Sequence, residues 1–187
     1  MSPPPHAFQG DRMRTFIALE LPDHMVAQVA VLARQLGDRI SGRLMKPDTY
    51  HLTLAFLGEL DEQQVRDAMA ALDDAAADRA AIPLVPDGLG KFGKPHDATL
   101  WLGISPAQEL MDLAEAVRAE LAARDLPFDR KAFRPHITLA RRAKLPRGPL
   151  PELVFPEASP AVAVTLFKSS LTPEGARYKP LYTIDLD

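Results

Sequence analysis

The pattern His-x-Thr-Leu occurs twice in this chain of 187 residues, in HLTLAFLG at 51–58 and in HITLAR at 136–141. Asp48, Thr49 and Tyr50 introduce the first copy; Phe133, Arg134 and Pro135 introduce the second. In a strand, residues i and i+2 share a face. His51 and Thr53 therefore project together, as do His136 and Thr138, while Leu52, Leu54, Ile137 and Leu139 turn toward the core. A fully buried strand has no use for polar residues at both positions, because each must find a hydrogen-bond partner. The two stretches are similar core strands that happen to contain a histidine, the worn trace of an internal duplication, or the two halves of one site.

The surrounding pattern bears on that choice. RTFIALEL, residues 14–21, reads as a strand. Pro22 and Asp23 then open a helix with Met25, Val26, Val29, Leu32, Ala33 and Leu36 at helical spacing. TYHLTLAFLG follows as a strand, and Asp61 with Gln64 has the form of a capping box at the head of an alanine-rich helix. AIPLVPDGLGKF and ATLWLGI read as two strands, and a third helix is expected from about Pro106 to Arg124. KAFRPHITLAR reads as the next strand, followed by a proline-rich connection. AVAVTLFKSSL and YKPLYTIDLD form an expected hairpin around Pro173 and Gly175. Each histidine strand thus follows a strand and a helix. Several neighbouring strands have no helix between them, which argues for a largely antiparallel α+β arrangement and against a doubly wound parallel sheet.

Composition narrows the chemistry. The chain has no cysteine, which removes disulfides, thiol nucleophiles and thiolate-bound metals and fits a reducing, cytoplasmic setting. Nothing resembles a membrane span, and MSPPPHAFQGDRMR lacks the apolar run of a secretory signal. Residues 1–12 are expected to be a flexible tail and 13–187 one bilobal domain. Net charge is −3, so the molecule as a whole is no generic polyanion binder. From Arg130 to Pro151, however, there are seven Lys or Arg and no Asp or Glu, compatible with a phosphate-bearing partner or with a solvated loop.

Histidine suits acid–base work near neutrality, because its unperturbed pKa is about 6.5. Of two imidazoles, one can take a proton while the other gives one. A threonine hydroxyl can donate to a phosphate oxygen. Two His and two Thr around one concavity could therefore open a cyclic phosphodiester without a metal. His6, His24 and His96 lie in unrelated contexts and no further ligand sits near either motif, so no metal and no cofactor are expected. GLGKFGK at 88–94 does not lead from a strand into a helix as nucleotide-binding glycine loops require. The near-symmetric repeat leaves open which histidine gives the proton.

Taken together, RTFIALELP, HLTLAFLGEL, FRPHITLAR and LFKSSLTPEGARYKPL resemble the 2H phosphoesterases, and more narrowly the LigT/ThpR-type RNA 2′,3′-cyclic phosphodiesterases first described as 2′-5′ RNA ligases. The resemblance spans about residues 13–187. It implies two pseudo-twofold-related α/β lobes with antiparallel sheets flanking a central cleft. It implies hydrolysis of a terminal 2′,3′-cyclic phosphate on RNA to a 2′-phosphate, with tRNA fragments among the candidate substrates and 2′-5′ ligation as the reverse chemistry. His51 would be the proton donor and His136 the acceptor. Thr53, Thr138 and Arg141 would hold the phosphate, and the protein would act as a monomer. Related 2H enzymes act instead on small cyclic phosphates or 2′-5′ oligonucleotides. Relatives often carry an aromatic residue where this chain has Arg43, Leu44 and Met45. Phe16, Phe56 and Tyr178 fall in the matching stretches and are expected in the core rather than as a platform for a base.

Overall fold

A computed structural model describes residues 11–186; residues 1–10 of the expected tail lie outside them. The elements follow the hydrophobic pattern. Strand β1 (Met13–Glu20) leads into helix α1 (Asp23–Gly37), whose first turn hangs from the Pro22 carbonyl through the amides of Met25 and Val26. Pro22, with φ of −65°, presets the entry. Met25, Val29, Leu32 and Leu36 recur one helical turn apart and are buried. Next come β2 (Ser41–Leu44), a 3-10 turn at Pro47–Thr49, and β3 (His51–Leu60). Helix α2 (Glu62–Ala76) starts at the expected capping box. Asp61 accepts from the Gln64 amide at 2.9 Å, and the Gln64 side chain accepts from the Asp61 amide at 3.0 Å. Strands β4 (Pro83–Leu84), β5 (Pro86–Lys94) and β6 (Asp97–Ile104) precede helix α3 (Gln108–Ala123). The chain continues through β7 (His136–Lys144), β8 (Ser159–Pro160), β9 (Ala163–Thr172) and β10 (Gly175–Asp185).

Seven strands lie in the order β10-β9-β1-β3-β7-β6-β5, β2 adds to β7, and every pairing is antiparallel. The expected repeat is present: β1-α1-β3 and β6-α3-β7 are both a strand, a helix and an antiparallel partner carrying the motif. The two motif strands, β3 and β7, pair through a single residue pair, Leu52 with Ile137. These two residues, with Leu54 and Leu139, are buried in the main core beside the apolar stripes of α1, α2 and α3. The opposite face carries both histidines and a separate small cluster of Phe16, Ala18 and Phe167, against which Tyr178 packs.

Two sequence expectations are corrected. The strand anticipated over KAFRPHITLAR begins only at His136; the Asp129 amide ahead of it instead donates to the Phe56 carbonyl of β3 at 2.8 Å. The unanticipated β2 lies beside the later part of β7, pairing Leu44 with Ala140 and Arg43 with Arg141. Both departures have one cause. Beyond Leu52 and Ile137 the motif strands diverge: β7 takes β2, from the chain just ahead of β3, and β3 meets Asp129, from the chain just ahead of β7.

Candidate active site

The Leu52–Ile137 pair sets the register at the seam. With antiparallel pairing, His51 then lies beside Thr138, and His136 beside Thr53, on the face opposite the core. Each imidazole is pinned in the same way. His51 Nδ1 lies 2.7 Å from the Thr49 carbonyl, and His136 Nδ1 lies 2.6 Å from the Arg134 carbonyl. A carbonyl can only accept, so Nδ1 carries the proton in each ring and Nε2 is left for chemistry. There the symmetry ends. His51 Nε2 is 3.0 Å from the Thr53 hydroxyl, whereas His136 Nε2 has no hydrogen-bond partner among the described residues.

Aromatic rings wall both histidines. Phe16 and Tyr178 lie 4.9 Å and 5.1 Å from His51, ring centre to ring centre. Phe92 and Trp101 lie 5.1 Å and 5.6 Å from His136. Gly90 pairs with Trp101 across β5 and β6 and makes room for the indole, since a Cβ there would come 2.1 Å from the ring. Burial among these groups pushes the His51 imidazole down to about 4; the Thr49 hydrogen bond opposes the shift, and the charges of Arg141 and His136 add to it. His136 is also lowered, chiefly by burial, then by Arg141 and Arg134, against the hydrogen bond to the Arg134 carbonyl. Both rings are therefore neutral at neutral pH in the unliganded protein.

Arg141 reaches this face by a route that alternation does not give. It stands an odd number of residues from His136, so a regular strand would turn it toward the core. Instead β7 bulges between Thr138 and Ala140, which pair with the adjacent residues Trp101 and Leu100 of β6. Leu139 and Ala140 are then buried in succession and Arg141 emerges exposed. Its charge acts on His51, His136 and Tyr178 alike. The first copy bulges at the matching place, Thr53 and Ala55 pairing with Ala18 and Ile17. Phe56 emerges there as Arg141 does in the second copy, and it is 51% exposed. Of the three aromatics expected in the core, Phe16 is buried, in the small cluster on the histidine face, whereas Tyr178 is only half-buried against His51 and Phe56 is exposed.

The register thus brings together all five residues singled out in the sequence: His51, His136, Thr53, Thr138 and Arg141. Phe92 and Trp101 belong to no motif; their only signal in the sequence is Gly90, a glycine inside a strand, which marks close approach by another group. Among the described residues, no three His, Cys, Asp or Glu come together in a set that could hold a metal ion. No described helix is long and apolar enough to cross a membrane.

Comparison with known proteins agrees with this architecture. The profile of the 2′-5′ RNA ligase superfamily matches residues 21–166. The chain is 33% identical over 176 residues to an RNA 2′,3′-cyclic phosphodiesterase of Thermotoga maritima, covering 91% of this chain and 94% of that one. The crystal structure of Escherichia coli LigT in its apo form superposes with a TM-score of 0.77 at 27% identity, covering 95% of this chain and 99% of LigT. LigT complexed with 3′-AMP gives a TM-score of 0.75 at 28% identity over the same shares of the two chains. The paired motifs, the antiparallel halves around them and these similarities place the chain in the 2′-5′ RNA ligase superfamily.

Proposed function

We propose that this protein is an RNA 2′,3′-cyclic phosphodiesterase that opens a terminal cyclic phosphate to a 2′-phosphate without a metal. The observation that carries the reading is the pair of imidazoles, each pinned through Nδ1, set on one face of the seam beside two threonine hydroxyls. His136, whose Nε2 is unengaged, takes a proton from water. The oxygen of that water bonds to phosphorus, the bond from phosphorus to O3′ breaks, and His51 Nε2 delivers a proton to O3′. The Thr53 and Thr138 hydroxyls donate to the non-bridging oxygens, and Arg141 offsets the phosphate charge. The same sequence, with the 5′-hydroxyl of a second RNA end in place of water, is 2′-5′ ligation, and its reverse is cleavage of that linkage.

The asymmetry at Nε2 supports this division of labour, since an acceptor needs an open lone pair. The low value at His51 opposes it, because a donor must hold a proton. The substrate resolves the conflict: a phosphodiester anion against Nε2 favours the imidazolium and raises both rings. One chain supplies both halves of the site, which fits a monomer, and the cysteine-free composition fits a cytoplasmic enzyme. Residues 13–187 would form the single bilobal domain, with tRNA fragments among its substrates.

An RNA oligomer ending in a 2′,3′-cyclic phosphate, incubated with excess chelator, tests the reading. Release of a 2′-phosphate end is expected. A 3′-phosphate product would reverse the leaving group and the histidine roles, and activity that disappears with chelator and returns with zinc would overturn the metal-free mechanism.

A further inference from the structure

Tyr178 stands against His51 with the ring centres 5.1 Å apart and the planes at 87°, and it meets Phe16 edge-on at 4.9 Å. These contacts hold the ring. Its hydroxyl is not held. The chain has three tyrosines. Tyr50 donates to the Met45 carbonyl at 3.4 Å, and Tyr182 donates to the Asp73 carboxylate at 2.6 Å. Tyr178 is half-buried and makes no hydrogen bond among the described residues. A phenol withdrawn from water normally finds a partner. The charges nearby decide which partner fits. Tyr178 and His51 both border a cavity of about 270 Å³ whose carboxylates are Glu20, Asp23 and Asp48 and which has no Lys or Arg in its lining. Carboxylates repel a phosphate, so the reacting phosphate is kept out of that cavity and over the seam, where Arg141 is the cation. The Tyr178 hydroxyl is in the field of that same cation: burial raises the phenol, and the charges of Arg141 and then Arg14 oppose the rise. Arg141 acts on both histidines in the same way. A free hydroxyl beside the proton-donating histidine, facing the charge that offsets the phosphate, suits an acceptor that arrives with the substrate.

We infer that the Tyr178 hydroxyl donates a hydrogen bond to a non-bridging oxygen of the substrate's phosphate. The inference rests on the phosphodiesterase reading and extends it, adding a fourth phosphate contact to Thr53, Thr138 and Arg141. The motif threonines come from β3 and β7, whereas Tyr178 comes from β10, the edge strand of the first half. The phosphate is thereby gripped from a third strand, on the side of the departing O3′. A contact of this kind reads the phosphate and not the base, so it serves every 2′,3′-cyclic end alike.

Tyr178→Phe keeps the ring and its contacts and removes only the hydroxyl. The test measures the binding of inorganic phosphate by calorimetry, and the turnover of adenosine and cytidine 2′,3′-cyclic phosphates, on wild type and variant. Phosphate affinity is expected to fall several-fold. The value of kcat/KM should fall by about tenfold or more, the loss that goes with one hydrogen bond to a charged group. The loss should be equal for the two nucleotides. Phosphate that fails to bind the wild type, or that binds the variant equally well, overturns the contact. A loss confined to one nucleotide assigns the hydroxyl to the base and overturns it too. So does a loss of the same size in Tyr182→Phe, whose ring packs on the main core and whose hydroxyl is tied to Asp73. Calorimetry needs no turnover. A protein that binds phosphate through Tyr178 and hydrolyses neither cyclic phosphate would therefore refute the phosphodiesterase reading and leave the phosphate contact standing.

Discussion

The Thr53 hydroxyl lies 3.0 Å from His51 Nε2, whereas His136 Nε2 has no partner among the described residues, although the two motifs are nearly identical in sequence. The two threonines should therefore differ in kind. Thr53→Ala removes a phosphate donor and also the hydroxyl against His51 Nε2. Thr138→Ala removes a phosphate donor alone. Each should lose about tenfold or more in kcat/KM, given about 1.5–3 kcal/mol for a hydrogen bond to a charged group. Only Thr53→Ala should also shift the pH profile. Equal profiles for the two variants would remove the functional meaning of the asymmetry.

His51→Ala and His136→Ala should each lower kcat by about 10² to 10⁴, the usual range for a general acid or base. The proteins should stay folded, because both rings sit on the face opposite the main core. Steady-state rates alongside circular dichroism check this, and normal turnover by both variants would refute the site.

Both rings titrate below 6.5 in the free protein, His51 near 4. The bell of kcat/KM against pH, which reports the free enzyme, should therefore peak on the acid side of 6.5. The bell of kcat should lie at higher pH, because the bound phosphate raises both rings. Coincident profiles would show that substrate charge does not reset the pair.

Arg141 lowers the affinity of both histidines for protons while attracting the phosphate. Arg141→Gln should therefore raise KM and move the kcat/KM profile toward alkaline pH. A rise in KM with no movement of the profile would mean that the bulge does not hold Arg141 against the rings.

The lowered His51 ring also affects stability. Its folded value lies below the unfolded one, so between pH 6.5 and about 4 the unfolded chain binds the extra proton. Stability from this group is complete above pH 6.5 and declines as pH falls through that window. The upper bound is about 3 kcal/mol, reduced by the ring's partial solvent access. Denaturant titrations of wild-type and His51→Gln protein should show the wild type losing ground relative to the variant across that range.

Much of the fold could be read from the chain because it depends on local rules. Alternation paired each His with its Thr and sent Leu52, Leu54, Ile137 and Leu139 inward. Asp61 and Gln64 marked a helix start, and the strand–helix–strand order around each motif announced the repeat. These features depend on residues a few positions apart, and the resemblance across the motifs added the expected chemistry. The rest needed the folded chain. No local pattern says that Leu52 pairs with Ile137, and that one register decides which threonine lies beside which histidine. The bulges at Leu54 and Leu139 depend on pairing against β1 and β6, so Arg141 and Phe56 emerge exposed against strict alternation. The rings around His136 come from strands far away in sequence, and the Trp101 indole fits only because Gly90 lies opposite. The repeat left the histidines interchangeable; their unequal hydrogen bonding and solvation exist only once the surrounding strands have packed.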